Sequence, residues 1–376
     1  MISSISTACP AGDHGSWLRY LASPDVGVIT LTVTEAGYLR ASDGGLDFRS
    51  PAVQDDLAAL RGDRAAPVRT APGRLAAGLD ARRRAGAGPV TIVPCDNLPG
   101  NGAVAQRVVA DFAARLDPSL PAWHTEAVRY VTTVVDRITP HLTEQDQMQV
   151  RASTGIADRA PVVTELFSEW VLSGSFAAGR PAWDDSGATL TDDITPFEQR
   201  KLWLLNGGHC LLAYAGLLRS HRTVAEAMAD PVCRGWLQDW WDEAAPHLGL
   251  PAASIAAYQQ ALVARFENPR IEYLLAQVAA DGSQKVPVRI LPVLRAERAA
   301  GRLPAGAVWV LAAWICHLHG TKTPVVDPRS RELAALVSGP AAGAVRAVLE
   351  TLDPALAADS ELLAATAAAT GELGWR

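Results

Sequence analysis

The feature that most constrains the fold is a change of hydrophobic pattern near residue 195. Before it, short apolar runs of strand length alternate with helical stretches. Val26 to Val33, Pro89 to Pro94 and Arg129 to Val135 each read as a buried strand. Leu75 to Ala87 and Ala103 to Leu116 read as helices. This alternation predicts an α/β layer built on a parallel sheet. After about residue 195 the pattern is helical almost throughout, interrupted at Pro231, Pro251, Pro269, Pro287, Pro304 and Pro324. The expectation is therefore an α/β plus all-α chain, with one domain over residues 1–194 and a helical one over 195–376. The first stretch, Met1 to Ser16, is expected to be irregular.

Several function classes are disfavoured. A net charge of −6, with no basic stretch interleaved with aromatics, argues against nucleic-acid binding. The longest apolar run, Val308 to Cys316, is too short to span a bilayer. No secretory leader is evident, and five scattered cysteines without a Cys-x-x-Cys pair suit reduced thiols, so a cytoplasmic protein is expected.

Only three of the 34 basic side chains are lysines: Lys201, Lys285 and Lys322. Where a plain positive charge suffices, this chain uses arginine. A lysine offers what arginine does not, an ammonium able to lose its proton and act as a base. Lys201 opens the run Lys201-Leu-Trp-Leu-Leu-Asn206-Gly-Gly-His209. Thr195-Pro196-Phe197-Glu198 ahead of it has a capping hydroxyl, a proline at the first helical position and an acid completing a capping box. Lys201 is then expected in the second turn, where the positive end of the helix dipole disfavours the ammonium. At about 100° per residue, Asn206 lies roughly 140° and His209 roughly 80° from Lys201 around an α-helix, on one broad face.

Other motifs are weaker. Gly100-x-Gly102-x-x-Ala105 loosely matches a dinucleotide fingerprint, but five residues separate it from the strand, and an Asn-Gly helix entry explains it better. Asp96 and Asn97 lie just beyond a strand's carboxyl end, where ligands bind in open α/β sheets. Asp136-Arg137 follows the third strand, as a surface ion pair or as the wall of a site. Cys316-His317-x-His319 places its ligands too close on one helix to converge on zinc, so no metal is expected.

Eight segments in one order resemble the long-chain mannitol dehydrogenase family, which includes polyol 2-dehydrogenases and the fructuronate and tagaturonate reductases. They are Ile29 to Tyr38, Cys95 to Gly102, Val135 to Pro140, Glu165 to Trp170, Gly179-Arg-Pro181, Lys201 to His209, Arg265-Phe-Glu-Asn-Pro269 and Asp281 to Lys285. The resemblance implies metal-independent hydride transfer between a sugar alcohol and NAD, with NADP also open. It implies Lys201 as general base and Asn97 with Asn206 as the amides facing the oxyanion. His209, Asp136 and Lys285 match positions that contact the polyol, and Val135 with Asp96 is assigned to the cofactor. It also implies a partial Rossmann-like parallel-sheet domain followed by a helical C-terminal domain.

Two departures qualify this expectation. Gln277 and Ala280 stand where the family typically places an arginine and a histidine that touch substrate, which favours a neutral polyol of mannitol or arabinitol type over a hexuronate. The chain also begins without the family's strand and Gly-x-Gly loop, so weak NAD(H) binding is expected, with a dissociation constant above roughly 1 mM. A non-catalytic remnant serving as a binding or assembly module is the alternative.

Overall fold

The computed structural model describes residues 4–139, 142–320 and 323–375. Pro140 and Lys322, noted in the sequence, lie outside them. Two compact units form: residues 1–136 with 168–194, and residues 137–167 with 195–376. The expected division after residue 194 is one boundary. The difference is the excursion over 137–167, which belongs with the helical unit because Glu165 and Ile138 are tied there by buried polar contacts.

The first unit runs α1 (His14–Leu21), β1 (Val28–Leu31), α2 (Pro51–Gly62), α3 (Ala71–Ala85), β2 (Val90–Pro94), α4 (Asn101–Leu116), α5 (Leu120–Ala127), β3 (Val128–Tyr130) and β4 (Thr132–Asp136), then β5 (Glu169–Ser173) and β6 (Thr189–Leu190). The α1 helix starts inside the stretch expected to be irregular, because Asp13 caps it by accepting the Ser16 N–H. β1, β2 and β3 form a parallel sheet in the order β1-β2-β3. Every residue of β2 is buried, which explains its largely apolar run, and its one hydroxyl, on Thr91, accepts the Ala177 N–H at 2.9 Å.

The expected third strand, Arg129 to Val135, is two strands in two sheets. β3 pairs with β2, whereas β4 pairs antiparallel with β5, and β5 is parallel to β6. The switch falls at Val131, whose N–H still donates to Ile92 of β2. Gly102 at the start of α4 packs against it: a Cβ there would sit 2.8 Å from the Thr132 nitrogen and 2.9 Å from the Val131 carbonyl carbon. Gly102 is thus required for packing, which supports the helix-entry reading of the Gly100–Ala105 loop.

The second unit holds α6 (Glu144–Thr154) and then α7 (Thr195–Arg200), a π-helical segment (Lys201–Gly207), α8 (Gly208–Leu218), α9 (Val224–Ala229), α10 (Pro231–Ala244), α11 (Ala252–Phe266), α12 (Leu275–Ala279), α13 (Gly282–Arg289), α14 (Leu291–Ala299), α15 (Ala305–His319), α16 (Ser330–Leu336), α17 (Ala341–Leu352), α18 (Pro354–Ala357) and α19 (Ser360–Glu372). Its core centres on α8 and α15, apolar on nearly all sides, with Trp240, Trp241 and Trp314 fully buried. Three of the six prolines expected to break helices mark helix starts: Pro231 in the first turn of α10, Pro251 and Pro304 at caps. Pro287 instead lies inside α13, near its end. Among the described residues no helix is long and apolar enough to cross a membrane. All five cysteines are free.

Candidate active site

The helix carrying Lys201 is not the continuous α-helix expected. It begins at Thr195, one residue earlier than a cap at Thr195 implies, and widens into a π turn from Lys201 to Gly207 before resuming as α8. In a π turn the bonded partner is five residues on rather than four. Lys201 and Asn206, five apart, therefore share one face more closely than the roughly 140° of an α-helix allows. Both are half-buried, and His209 beyond them is buried.

Neighbouring aromatics bond to the turn. The Trp240 indole N–H donates to the Trp203 carbonyl at 2.8 Å, and that of Trp241 to the Leu204 carbonyl at 3.0 Å. Gly207 admits this approach, since a Cβ there would lie 2.9 Å from the Trp240 ring.

His209 lines a small recess with Ile138, Arg265, Asn268 and Tyr273. Its ring centroid is 4.5 Å from that of Phe266 and 5.2 Å from that of Tyr273. Behind it Arg265 makes a two-pronged ion pair with Glu165, Nε to Oε2 at 2.9 Å and Nη2 to Oε1 at 2.8 Å. Glu165 Oε1 also accepts the Ile138 N–H at 2.5 Å, which fixes Ile138 at the recess.

Lys285 is on α13, which packs against the π turn. Its Nζ donates to the Val278 carbonyl at 3.1 Å. Burial lowers the Lys285 pKa, and the nearby Arg289 guanidinium lowers it further. Asp281 adopts a left-handed conformation at φ 58° just before α13. Asp327 holds the helix start through the Ser283 N–H and hydroxyl, at 2.8 and 2.7 Å.

The remaining expected residues lie in the first unit. Asn97 is exposed on the loop after β2. Asp96, by contrast, is buried, and its carboxylate accepts the Val33 N–H and the Tyr38 hydroxyl. That clasp ties the segment after β1 to the end of β2. Asn101 adds a second stitch, donating to the Asp96 and Thr133 carbonyls at 3.1 and 3.0 Å. Val135 is half-buried opposite Trp170, and Asp136 is buried opposite Glu169. Asp136 is buried rather than at the surface, and Arg137 Nε donates to the Glu165 carbonyl at 3.2 Å.

The Cys316–His319 cluster lies at the end of α15. Cys316 and His317 are buried, and the His319 Nδ1 lies 2.8 Å from the Val337 carbonyl while its ring stacks on Trp375. Among the described residues, one trio of possible ligands converges: His221, Asp230 and Cys233, with donor atoms within 4.8 Å of one another. Arg219 Nε already sits 2.5 Å from the Asp230 oxygen that His221 contacts at 2.8 Å, so a resident cation fills the place.

The sequence reading missed Glu165 with Arg265, Tyr273, and Trp240 with Trp241. Glu165 and Arg265 do fall in two of the segments that carry the family resemblance, and a pair of opposite charge was the signal available.

Comparison with known proteins decides the family. The mannitol dehydrogenase Rossmann domain matches residues 2–185, and the mannitol dehydrogenase C-terminal domain matches 193–372. The chain belongs to the mannitol dehydrogenase family. Mannitol 2-dehydrogenase of Cereibacter sphaeroides is 36% identical, covering 97% of this chain and 76% of its own length. D-mannonate oxidoreductase of Escherichia coli is 35% identical over 84% of this chain and 65% of its own length. Pseudomonas fluorescens mannitol 2-dehydrogenase, solved as a ternary complex with NAD and D-mannitol, superposes with a TM-score of 0.79 at 36% identity, covering 99% of this chain and 77% of that one. The chain thus spans about two thirds to three quarters of the length of these family members. Its architecture is that of the family: a Rossmann-type domain with a parallel sheet, then a helical C-terminal domain.

Proposed function

We propose that the chain is an NAD-linked oxidoreductase acting on a sugar alcohol, with Lys201 as general base. The observation that carries this reading is the π turn, which gathers Lys201 and Asn206 on one face of a helix that continues to His209. A secondary alcohol releases hydride readily only as its O–H proton leaves. Neutral Lys201 Nζ takes that proton. Asn206 donates an amide N–H to the oxygen as negative charge grows on it. His209 and Lys285 hold the remaining hydroxyls.

The first unit suits a dinucleotide. β1 and β2 end level, Leu31 beside Pro94, so their following loops emerge at one edge of the parallel sheet. Ligands of such sheets bind at that edge. Val135 and the Asp96 loop would hold the cofactor, Asp96 acting through the loop it clasps. NAD bound there would supply the hydride acceptor.

A sugar acid is the second reading, favoured by two cations, Lys285 and Arg289, one turn apart on α13. The oxidation of a polyol against that of an aldonate, measured side by side, separates the two.

Lys201→Ala tests the base. Turnover is expected to fall about 10²–10⁴-fold with cofactor affinity nearly unchanged. Lys201→Arg is expected to be almost as damaging, because a guanidinium accepts no proton. An alanine variant keeping a tenth of the activity excludes the assignment.

A further inference from the structure

A π turn is an uncommon state of the backbone, and an α-helix is the ordinary one. Something must hold residues 201–207 out of α-helical register, and two adjacent residues of α10 are placed to do so. Trp240 and Trp241 are 0% and 1% exposed, and each spends its one donor on a carbonyl inside the turn. The carbonyls they take, Trp203 and Leu204, are themselves adjacent. Trp240 is braced from behind: a Cβ on Gly306 of α15 would lie 2.4 Å from its backbone nitrogen. On the near side Gly207 and Gly208 clear the way, since a Cβ on Gly208 would meet Leu237 at 2.9 Å and the Trp241 indole nitrogen at 3.3 Å.

We propose that Trp240 and Trp241 are positioning residues whose indole N–H groups hold the π turn and so set Asn206 on the same face as Lys201. The proposal rests on Lys201 and Asn206 being the base and the oxyanion amide. Without the two donors, the segment relaxes toward α-helical register. Asn206 then swings away from Lys201, and the oxygen loses that amide at the moment charge develops. This selectively lowers turnover, because substrate and cofactor contacts made elsewhere are kept.

Phenylalanine keeps the ring and removes the N–H. In Trp240→Phe and Trp241→Phe, kcat is expected to fall about ten- to hundredfold while KM for the polyol changes less than about threefold. The acid limb of the kcat–pH profile is expected to move by at least about half a unit. Trp236→Phe is the control: Trp236 stacks on Trp309 with centroids 4.3 Å apart and makes no bond to the turn, so kcat should be unchanged.

A readout independent of turnover uses the scarcity of lysine. With three lysines in the chain, mass spectrometry resolves the acylation rate of each. The ratio of Lys201 to Lys285 labelling is expected to change at least about threefold in the two phenylalanine variants and not in the control. Far-ultraviolet circular dichroism and thermal unfolding establish that each variant is folded, and the second variant serves if the first is not. Wild-type kcat, pH profile and labelling ratio in both folded variants overturn the proposal. Lys201→Ala separates the two readings: an active alanine variant defeats the base assignment, whereas an inactive one beside fully active phenylalanine variants defeats only the clamp.

Discussion

Arg265 and Glu165 have side chains only 4% and 3% exposed, so each is the other's main compensation for leaving water. Phe167 lies beneath the guanidinium, its centroid 4.2 Å from Arg265 Cζ. Removing one partner strands a buried charge, which typically costs about 3–5 kcal/mol. Arg265→Met is expected to lower stability by that much in urea unfolding, and Arg265→Met with Glu165→Gln to recover part of it. A single variant losing under about 1 kcal/mol would show that the pair is solvated. A second expectation at this scale concerns metal. With Arg219 occupying Asp230, dialysis against a strong chelator should leave both activity and melting temperature unchanged. A rate that collapsed and returned with zinc would overturn the lysine mechanism.

Helices and strands show which parts of the architecture were legible. β2 was visible because all of its residues are buried and most are apolar, and α3 and α4 because their periodicity is local, although α3 starts at Ala71, four residues before the expected Leu75. The strand switch at Val131 was hidden, since an apolar run looks the same whether it serves one sheet or two. The π turn was hidden for a different reason: its donors lie 37 residues away on α10. Lys201, Asn206 and His209 were legible as a set, but their spacing around the helix was not. The α13 helix gives a test of how closely such elements fit. A Cβ on Gly282 would sit 2.3 Å from the Trp314 indole nitrogen and 2.8 Å from the Tyr214 hydroxyl. Gly282→Ala must therefore shift α13 and Lys285 with it. It is expected to cost about 1–3 kcal/mol and to raise KM for the polyol more than it lowers kcat. Steady-state kinetics beside thermal unfolding checks both, and an unchanged KM would place Lys285 away from substrate.

The whole molecule carries a pH liability in each unit. His124 in the first and His317 in the second are buried, and burial holds both pKa values down to about 4. In the unfolded chain they titrate near 6.5, so below that pH unfolding takes up protons that the fold refuses. The stability each contributes is complete above about 6.5 and is lost as pH falls toward about 4, at most ~3 kcal/mol apiece. Unfolding free energy should decline across that window, and His317→Gln should flatten the decline. A curve level from pH 7 to 4 would contradict this. The division into units has a consequence of another kind, for the order of events on the ribosome. The backbone passes between the units three times, after residues 136, 167 and 194. β4 therefore leaves the ribosome well before β5, its partner. Glu165 emerges 100 residues ahead of Arg265. At about 5–20 residues per second, its carboxylate waits some 5–20 s for that guanidinium. The nascent first unit is complete only when residue 194 has been made, and the recess beside His209 cannot close until α11 has followed it.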